Sequence, residues 1–253
     1  MISILAVLTQ RQALDAIYAA NGGASWKGSV GWTTSASVCT WAGVTCNSQD
    51  FVVGLDLSGF GLTGQLADVF DSFPVLKSLY LNDQKMTTTI PASVCKLTGL
   101  QYLQANNAGI TGAIPQCICQ LAHVQFVYMN NNDITGAIPT CMGNLLFLKE
   151  VHFTCNQLSG TIPTGFVALK FLVEMHVDCN ADLSCESGLA TRPNFIFKCG
   201  LENCDDCVIP DTNCPPSVIV PDCGVYVRQW SFHFQFPLRR AECARVASSA
   251  GQQ

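Results

Sequence analysis

Charge is scarce in this chain. Of its 253 residues only 12% are Asp, Glu, Lys or Arg while 49% are hydrophobic, so much of the surface has to be neutral and polar. The net charge is −5 and no Lys/Arg run occurs before the last thirty residues, which leaves nucleic-acid binding without an electrostatic basis. No stretch approaches the roughly 18 unbroken apolar residues of a membrane span. Asn-x-Ser/Thr sequons are absent, so N-glycosylation is not expected. The opening MISILAVL is apolar but has neither a basic n-region nor a small-x-small cleavage site. Residues 1–8 read as a clipped or mis-started signal segment; the alternative is an extension of the first helix.

What the chain has in excess is cysteine, fifteen in all. That density points to an oxidising compartment, hence to an extracellular or cell-surface protein. The second prominent feature is SGFGLTGQL, which holds Gly59, Gly61 and Gly64 in the Gly-x-Gly-x-x-Gly spacing of a dinucleotide-binding turn, directly after the strand-like FVVGLDL. The wider sequence removes that reading. The second apolar position of each of six similar segments falls at Leu55, Leu79, Leu103, Val127, Val151 and Met175, always 24 residues apart. Gly64, Gly112, Gly136 and Gly160 share a column in which Thr88 is the exception, and Pro91, Pro115, Pro139 and Pro163 share another. A nucleotide-binding unit needs a crossover helix and about 30 residues between strands. Here the next strand is due after 24, with Pro74 between. The glycine fingerprint is therefore a coincidence of the repeat.

The pattern L-x-x-L-x-L-x-x-N-x-L followed by L-x-G-x-I-P resembles the plant-type leucine-rich repeat, over residues 39 to about 183. The resemblance implies an α/β repeat fold: a right-handed solenoid with one parallel strand per 24-residue coil, a 3₁₀ or irregular convex side and cysteine-rich caps. Leu57, Leu81, Met129, Phe153 and Val177 are expected to point inward, with Ala105 filling that slot thinly. In the family an asparagine after each strand bonds the turn backbone. Asn132, Asn156 and Asn180 keep it, whereas Phe60, Gln84 and Ala108 depart from it, which puts the first half of that ladder in question.

Residues 9–51 resemble the N-terminal cap of plant receptor ectodomains and polygalacturonase-inhibiting proteins. Leu14, Ile17 and Tyr18 have helical spacing, Gly22 and Gly23 stop the helix, and Trp26, Trp32 and Trp41 can seal the first coil. The resemblance implies a cap disulfide between Cys39 and Cys46. The solenoid is placed at 52–183 and a cysteine-rich cap at 184–223, with Cys185, Cys199, Cys204, Cys207, Cys214 and Cys223. Disulfides are the preferred reading there, connectivity open, with a zinc site at CDDC as the alternative. Residues 224–253, richer in arginine, form a tail without a functional reading. Within the repeats, Cys95 and Cys119, Cys117 and Cys141, and Cys155 and Cys179 each differ by 24. Coils stacked about 4.8 Å apart would bring such pairs within disulfide range, so rungs are expected as Cys95–Cys119, Cys117–Cys141 and Cys155–Cys179, with Cys243 left over.

Side chains between the inward positions should project onto the concave face. Tyr80, Tyr102, Phe126 and Tyr128, with Gln104, form an aromatic zone of the type enriched at interfaces. Those positions are expected to be exposed and to matter for binding rather than stability. Glu150, His152, Glu174, His176 and Asp178 follow as an acidic zone with two histidines. A metal site, a pH-sensitive contact and an inert polar face are the readings open for it, and neither metal nor cofactor is assigned to the chain. No nucleophile, base and orienting partner assemble on one face, so no enzyme is expected. The resemblance implies a recognition module that binds a protein or peptide, with an oligosaccharide as a further class of ligand. The alternative is a secreted inhibitor of a cell-wall-degrading enzyme, although such inhibitors carry more repeats. A structural, carbohydrate- or ice-binding solenoid ranks last, because the run Thr87–Thr89 is not repeated.

Overall fold

The computed structural model describes residues 8–185 and 195–199. All but Leu8 of the leader reading at 1–8, the CDDC stretch and the tail lie outside these residues.

The chain opens on helix α1 (Gln10–Ala20), started by a capping box in which the Thr9 side chain and Gln12 bond each other's backbone N–H. Its apolar face, Ala13, Leu14 and Ile17, is fully buried. Asn21 at its end is buried too, and its Nδ2 donates to the carbonyls of Thr63 and Gln65 at 3.0 and 2.8 Å. The cap is thereby bonded to the first coil. Around it Trp26, Trp32 and Trp41 form a chain with successive ring centroids 5.0 Å apart, and Trp26 also meets Phe60. Strand β1 (Val44–Cys46) runs antiparallel to β2 (Val52–Asp56) and covers the edge that the first parallel strand would otherwise expose.

Each coil then contributes two strands. In chain order these are β3 (Thr63–Gly64), β4 (Ser78–Tyr80), β5 (Lys85–Met86), β6 (Tyr102–Gln104), β7 (Thr111–Ala113), β8 (Phe126–Tyr128), β9 (Asp133–Gly136), β10 (Glu150–His152), β11 (Gln157–Thr161), β12 (Glu174–His176), β13 (Asp182–Ser184) and β14 (Ile196–Lys198). The main sheet has the order β1-β2-β4-β6-β8-β10-β12-β14, parallel after β1. Leu55, Leu79, Leu103, Val127, Val151 and Met175 pair in register across it, as the 24-residue period requires. The lateral strands form a pair, β3-β5, and a four-stranded sheet, β13-β11-β9-β7, joined by a single bridge from Thr88 to Ile110.

That interruption sits at the one exception in the glycine column. Gly64, Gly112, Gly136 and Gly160 all have φ between 72 and 81°, a left-handed conformation that Thr88 does not adopt. Thr88 is instead buried, with its hydroxyl accepting from Leu66 N and donating to Thr89 O.

The third side of each coil is a 3₁₀ turn: Ala92–Lys96, Gln116–Gln120, Thr140–Asn144 and Thr164–Ala168, preceded by Pro91, Pro115, Pro139 and Pro163. Proline suits the position before a helix, where its fixed φ is compatible and its missing N–H leaves no bond unmade. Between the three sides lies a continuous apolar core that includes Leu57, Leu81, Met129, Phe153 and Val177. Ala105 is buried as well, but its small side chain leaves an apolar cavity of about 20 Å³ lined by Leu81, Leu103, Ile110 and Met129.

The asparagine ladder is present and extends further than its sequence signature. Asn132, Asn156 and Asn180 each donate through Nδ2 to carbonyls of their own turn and of the preceding coil, and each Oδ1 accepts from backbone N–H. Gln84 does the same with one more methylene. Its Nε2 donates to Leu57 O at 2.6 Å and Asn82 O at 2.7 Å, and its Oε1 accepts from Gly61 N and Leu62 N. The amide is missing at Ala108 and at Phe60, whose ring packs on Trp26 of the cap instead.

The cysteines correct the expected pairing. Cys39–Cys46 is formed, but the repeat bonds join Cys95 to Cys117 and Cys119 to Cys141, not Cys95 to Cys119 or Cys117 to Cys141. Residues one period apart are related by translation, so their side chains leave the 3₁₀ turns in parallel and do not converge. A step of two residues along such a turn, at three per revolution, aims one side chain forward and the other back. The bonded pairs are therefore separated by 22 residues, with Cα atoms 5.5 and 5.8 Å apart. The third expected rung, Cys155–Cys179, is not among the bonds between described residues, although both sulfurs are in disulfides. Cys185 pairs with Cys199, on the two segments that flank β14 and β13.

Candidate ligand-binding face

The open face of the main sheet brings the expected site residues together in two columns. One contains Tyr80, Gln104, Tyr128, His152 and His176, the other Tyr102, Phe126, Glu150 and Glu174. Because parallel strands lie about 4.8 Å apart, rings at equal register stack almost face to face. Tyr102 and Phe126 have centroids 4.8 Å apart and are nearly parallel at 6°; Tyr128 and His152 are 4.5 Å apart, and His152 and His176 4.4 Å apart, again at 6°. Edge contacts from Tyr80 to Tyr102 and from Phe126 to Tyr128 link these stacks into one file from β4 to β12. Lys149 places its Nζ 5.6 Å from the Phe126 ring centroid.

These aromatics are half-buried, not exposed as expected, because each ring shields its neighbours. Burial first, then the charge of Tyr102, raises the Tyr80 phenol above its ordinary range. Burial, then the hydrogen bond that its hydroxyl donates to Glu150, raises that of Tyr128 further. Burial likewise lowers both histidines, with His176 adding to the effect on His152. Both imidazoles are thus held towards the neutral form.

The acidic zone surrounds them. His176 Nε2 lies 2.9 Å and His152 Nε2 3.4 Å from the same oxygen, Glu174 Oε1, while Glu150 Oε2 is 4.0 Å from His152 Nε2. Neither Nε2 is aligned for a hydrogen bond, so both are buried without one. Asp178 is turned to the sheet margin, where it accepts from the Thr154 hydroxyl. There it ends a second polar ladder that sequence reasoning missed: the side-chain carbonyls of Asn82, Asn106 and Asn130 accept from the backbone of Asn106, Asn130 and Thr154. The next position along is left-handed in every coil, at Gly59, Asp83, Asn107, Asn131, Cys155 and Cys179. Both additional glycines of the opening fingerprint, Gly59 and Gly61, are explained as turn residues with positive φ.

No family model matches the chain. A segment of 71 residues, 28% of the chain, is 38% identical to the LRR receptor-like serine/threonine-protein kinase EFR of Arabidopsis thaliana, of which it spans 7%. Among solved structures, a plant ice-binding protein superposes with a TM-score of 0.64 at 24% identity, over 68% of this chain and 56% of that one. The PEPR1–AtPEP1 structure superposes at 0.63 and 24% identity, over 68% of this chain and 25% of that one. The fold is that of a leucine-rich-repeat solenoid.

The lateral sheet of the solenoid adds a feature the sequence reading overlooked. The Thr87–Thr89 run is indeed unrepeated, but Thr63, Thr87, Thr111 and Thr135, then Ser159, recur every 24 residues, each just before the glycine position. The lateral strands pair at a step of 22, Thr63 opposite Lys85 and Thr111 opposite Asp133, so these hydroxyls run diagonally across that side and not in a straight column. Thr63, Thr87 and Thr135 are exposed. The signal was legible as a recurring Leu/Ile-Thr-Gly.

Proposed function

We propose that this leucine-rich-repeat solenoid is an extracellular binding module, not an enzyme, and that it recognises an extended peptide or protein segment through the open, concave face of the main sheet. The observation that carries this reading is the unbroken file of rings from Tyr80 to His176. Stacked rings give a wide apolar contact whose side-chain freedom is already spent, which lowers the entropy cost of binding. From β6 to β12 is three strand spacings, about 14 Å, or roughly four extended residues of a ligand. Such a ligand would lay an aromatic or aliphatic side chain on Tyr102 and Phe126 and a basic one beside Glu150 and Glu174. Disulfides at Cys39–Cys46, Cys95–Cys117 and Cys119–Cys141 fit an oxidising compartment.

A random linear-peptide library selected on the immobilised chain tests this. Enriched peptides should pair an apolar with a basic residue about four positions apart, and should lose at least tenfold in affinity against a Tyr102→Ala/Phe126→Ala variant, as interface hot spots do. Peptides that bind both proteins equally would move the site elsewhere.

A second reading rests on the lateral side, where threonines next to the glycine position recur every 24 residues and present a diagonal row of hydroxyls and methyls. Such a surface suits contact with an ordered solid, ice or a wall polysaccharide. An ice-recrystallisation assay comparing the native chain with Thr87→Lys/Thr135→Lys decides it, since loss of inhibition in the variant alone would support that use.

A further inference from the structure

The acidic end of the main sheet has a local arrangement that peptide recognition does not explain. His152 on β10 and His176 on β12 stand at equal register, their imidazoles stacked at 4.4 Å, and Glu174 reaches between them. A neutral imidazole carries one N–H and one lone pair, and either one buried without a partner is costly. Both Nε2 atoms are in that condition. A carboxylate oxygen 2.9 and 3.4 Å from them, out of line for a hydrogen bond, leaves the need unmet.

Those separations have a recognisable scale. Donors on a tetrahedral ion with bonds of about 2.0–2.1 Å lie about 3.3 Å from one another. The two nitrogen–oxygen distances bracket that value, and all three donor atoms fall within 4.8 Å of one another. Rocking the two rings out of their parallel stack closes the remaining gap. Surrounding charge favours a cation: the carboxylates of Glu150 and, from the sheet margin, Asp178 act on the histidines, opposed by Lys198, which pairs with His176 across β14.

We propose that His152 Nε2, His176 Nε2 and Glu174 Oε1 form a binding site for a late first-row divalent metal ion, with zinc as the expected occupant. Two imidazoles and one carboxylate are ligands suited to zinc, and three protein donors leave a coordination position directed at the open face. A carbonyl, carboxylate or imidazole of a bound partner could fill that position. Glu150, held by the hydrogen bond it accepts from Tyr128, adds negative charge beside the site, its Oε2 4.0 Å from His152 Nε2.

The test uses the full chain, stripped with chelator and titrated with zinc chloride by calorimetry and with cobalt chloride by absorption, and no peptide is needed. One saturable site is expected, with visible cobalt bands of a four-coordinate nitrogen–oxygen complex. His152→Ala and His176→Ala should each weaken it by more than the 10- to 100-fold typical of outer partners. Glu174→Gln, which preserves shape, should weaken it at least about tenfold by the same scale, and thermal melts establish that each variant is folded. His123→Ala, at an exposed histidine stacked on Phe147, should leave it intact. No saturable binding up to millimolar metal overturns the proposal. So does binding that survives the His152→Ala/His176→Ala double variant, or cobalt spectra dominated by thiolate charge transfer.

Discussion

Replacing Gln84 by alanine isolates the part of the ladder that its sequence signature hid. The side chain is buried and makes four hydrogen bonds to backbone, two as donor and two as acceptor. The alanine variant leaves the N–H groups of Gly61 and Leu62 unpaired inside the turn and removes one of the bonds accepted by the carbonyls of Leu57 and Asn82, which keep those from Phe60 N and Gly59 N. At about 1 kcal/mol net per bond the loss is about 4 kcal/mol, reduced to about 3 if water enters the vacated space. In urea, with an m-value of about 2–3 kcal/mol/M, the midpoint should fall by roughly 1 M. Gln84→Asn supplies the residue used at 132, 156 and 180, and should recover more than half of the loss. The measurement is equilibrium unfolding followed by tryptophan fluorescence, which reports the adjoining cap. A Gln84→Ala protein within about 1 kcal/mol of the native chain would refute the argument, since exposed substitutions alone reach about 0.5. An asparagine variant as damaged as the alanine one would refute it equally.

Gly109→Ala should cost more than about 3 kcal/mol in thermal melts, because an added Cβ would sit 2.0 Å from Met86 O at a φ of +72°. Gly61→Ala, left-handed but facing open space, should cost only about 1 to 2. Peptide mapping without reductant should recover Cys95–Cys117 and Cys119–Cys141, and Cys95→Ser/Cys117→Ser should lose about 3 kcal/mol from a loop of 22 residues. Tyr102→Ala/Phe126→Ala should lower stability by about 1 kcal/mol through the lost ring stack, with the far-ultraviolet spectrum unchanged.

The six main-sheet strand centres from β2 to β12 could be read from the 24-residue period, because inward apolar side chains are the strongest constraint on a stacked coil; the second, lateral strand of each coil was not expected. The columns of the open face followed from the same alternation, so Tyr102, Phe126, His152 and His176 were found together. What escaped was whatever depends on direction rather than position. The cysteines offer spacings of both 24 and 22, and only the orientation of side chains on a 3₁₀ turn selects the second. Gln84 was discounted because it is not asparagine, although an added methylene keeps the same amide chemistry. Half-burial of the aromatic zone likewise follows from neighbouring rings lying flat against each other, which residue types alone do not specify.

The junction between the coils of β5 and β7 gathers several weaknesses. The lateral sheet is reduced there to one bridge at Thr88, the ladder loses its side chain at Ala108, and Ala105 leaves its slot partly empty. The disulfide from Cys95 to Cys117 spans this same junction on the opposite side. In a stack whose stability is a sum over nearest neighbours, the weakest interface sets where cooperativity fails. A covalent clasp at that place couples the two halves into one unfolding unit. With the clasp opened by reductant, amide exchange should divide near residue 108 into two blocks with separate protection, each melting on its own terms.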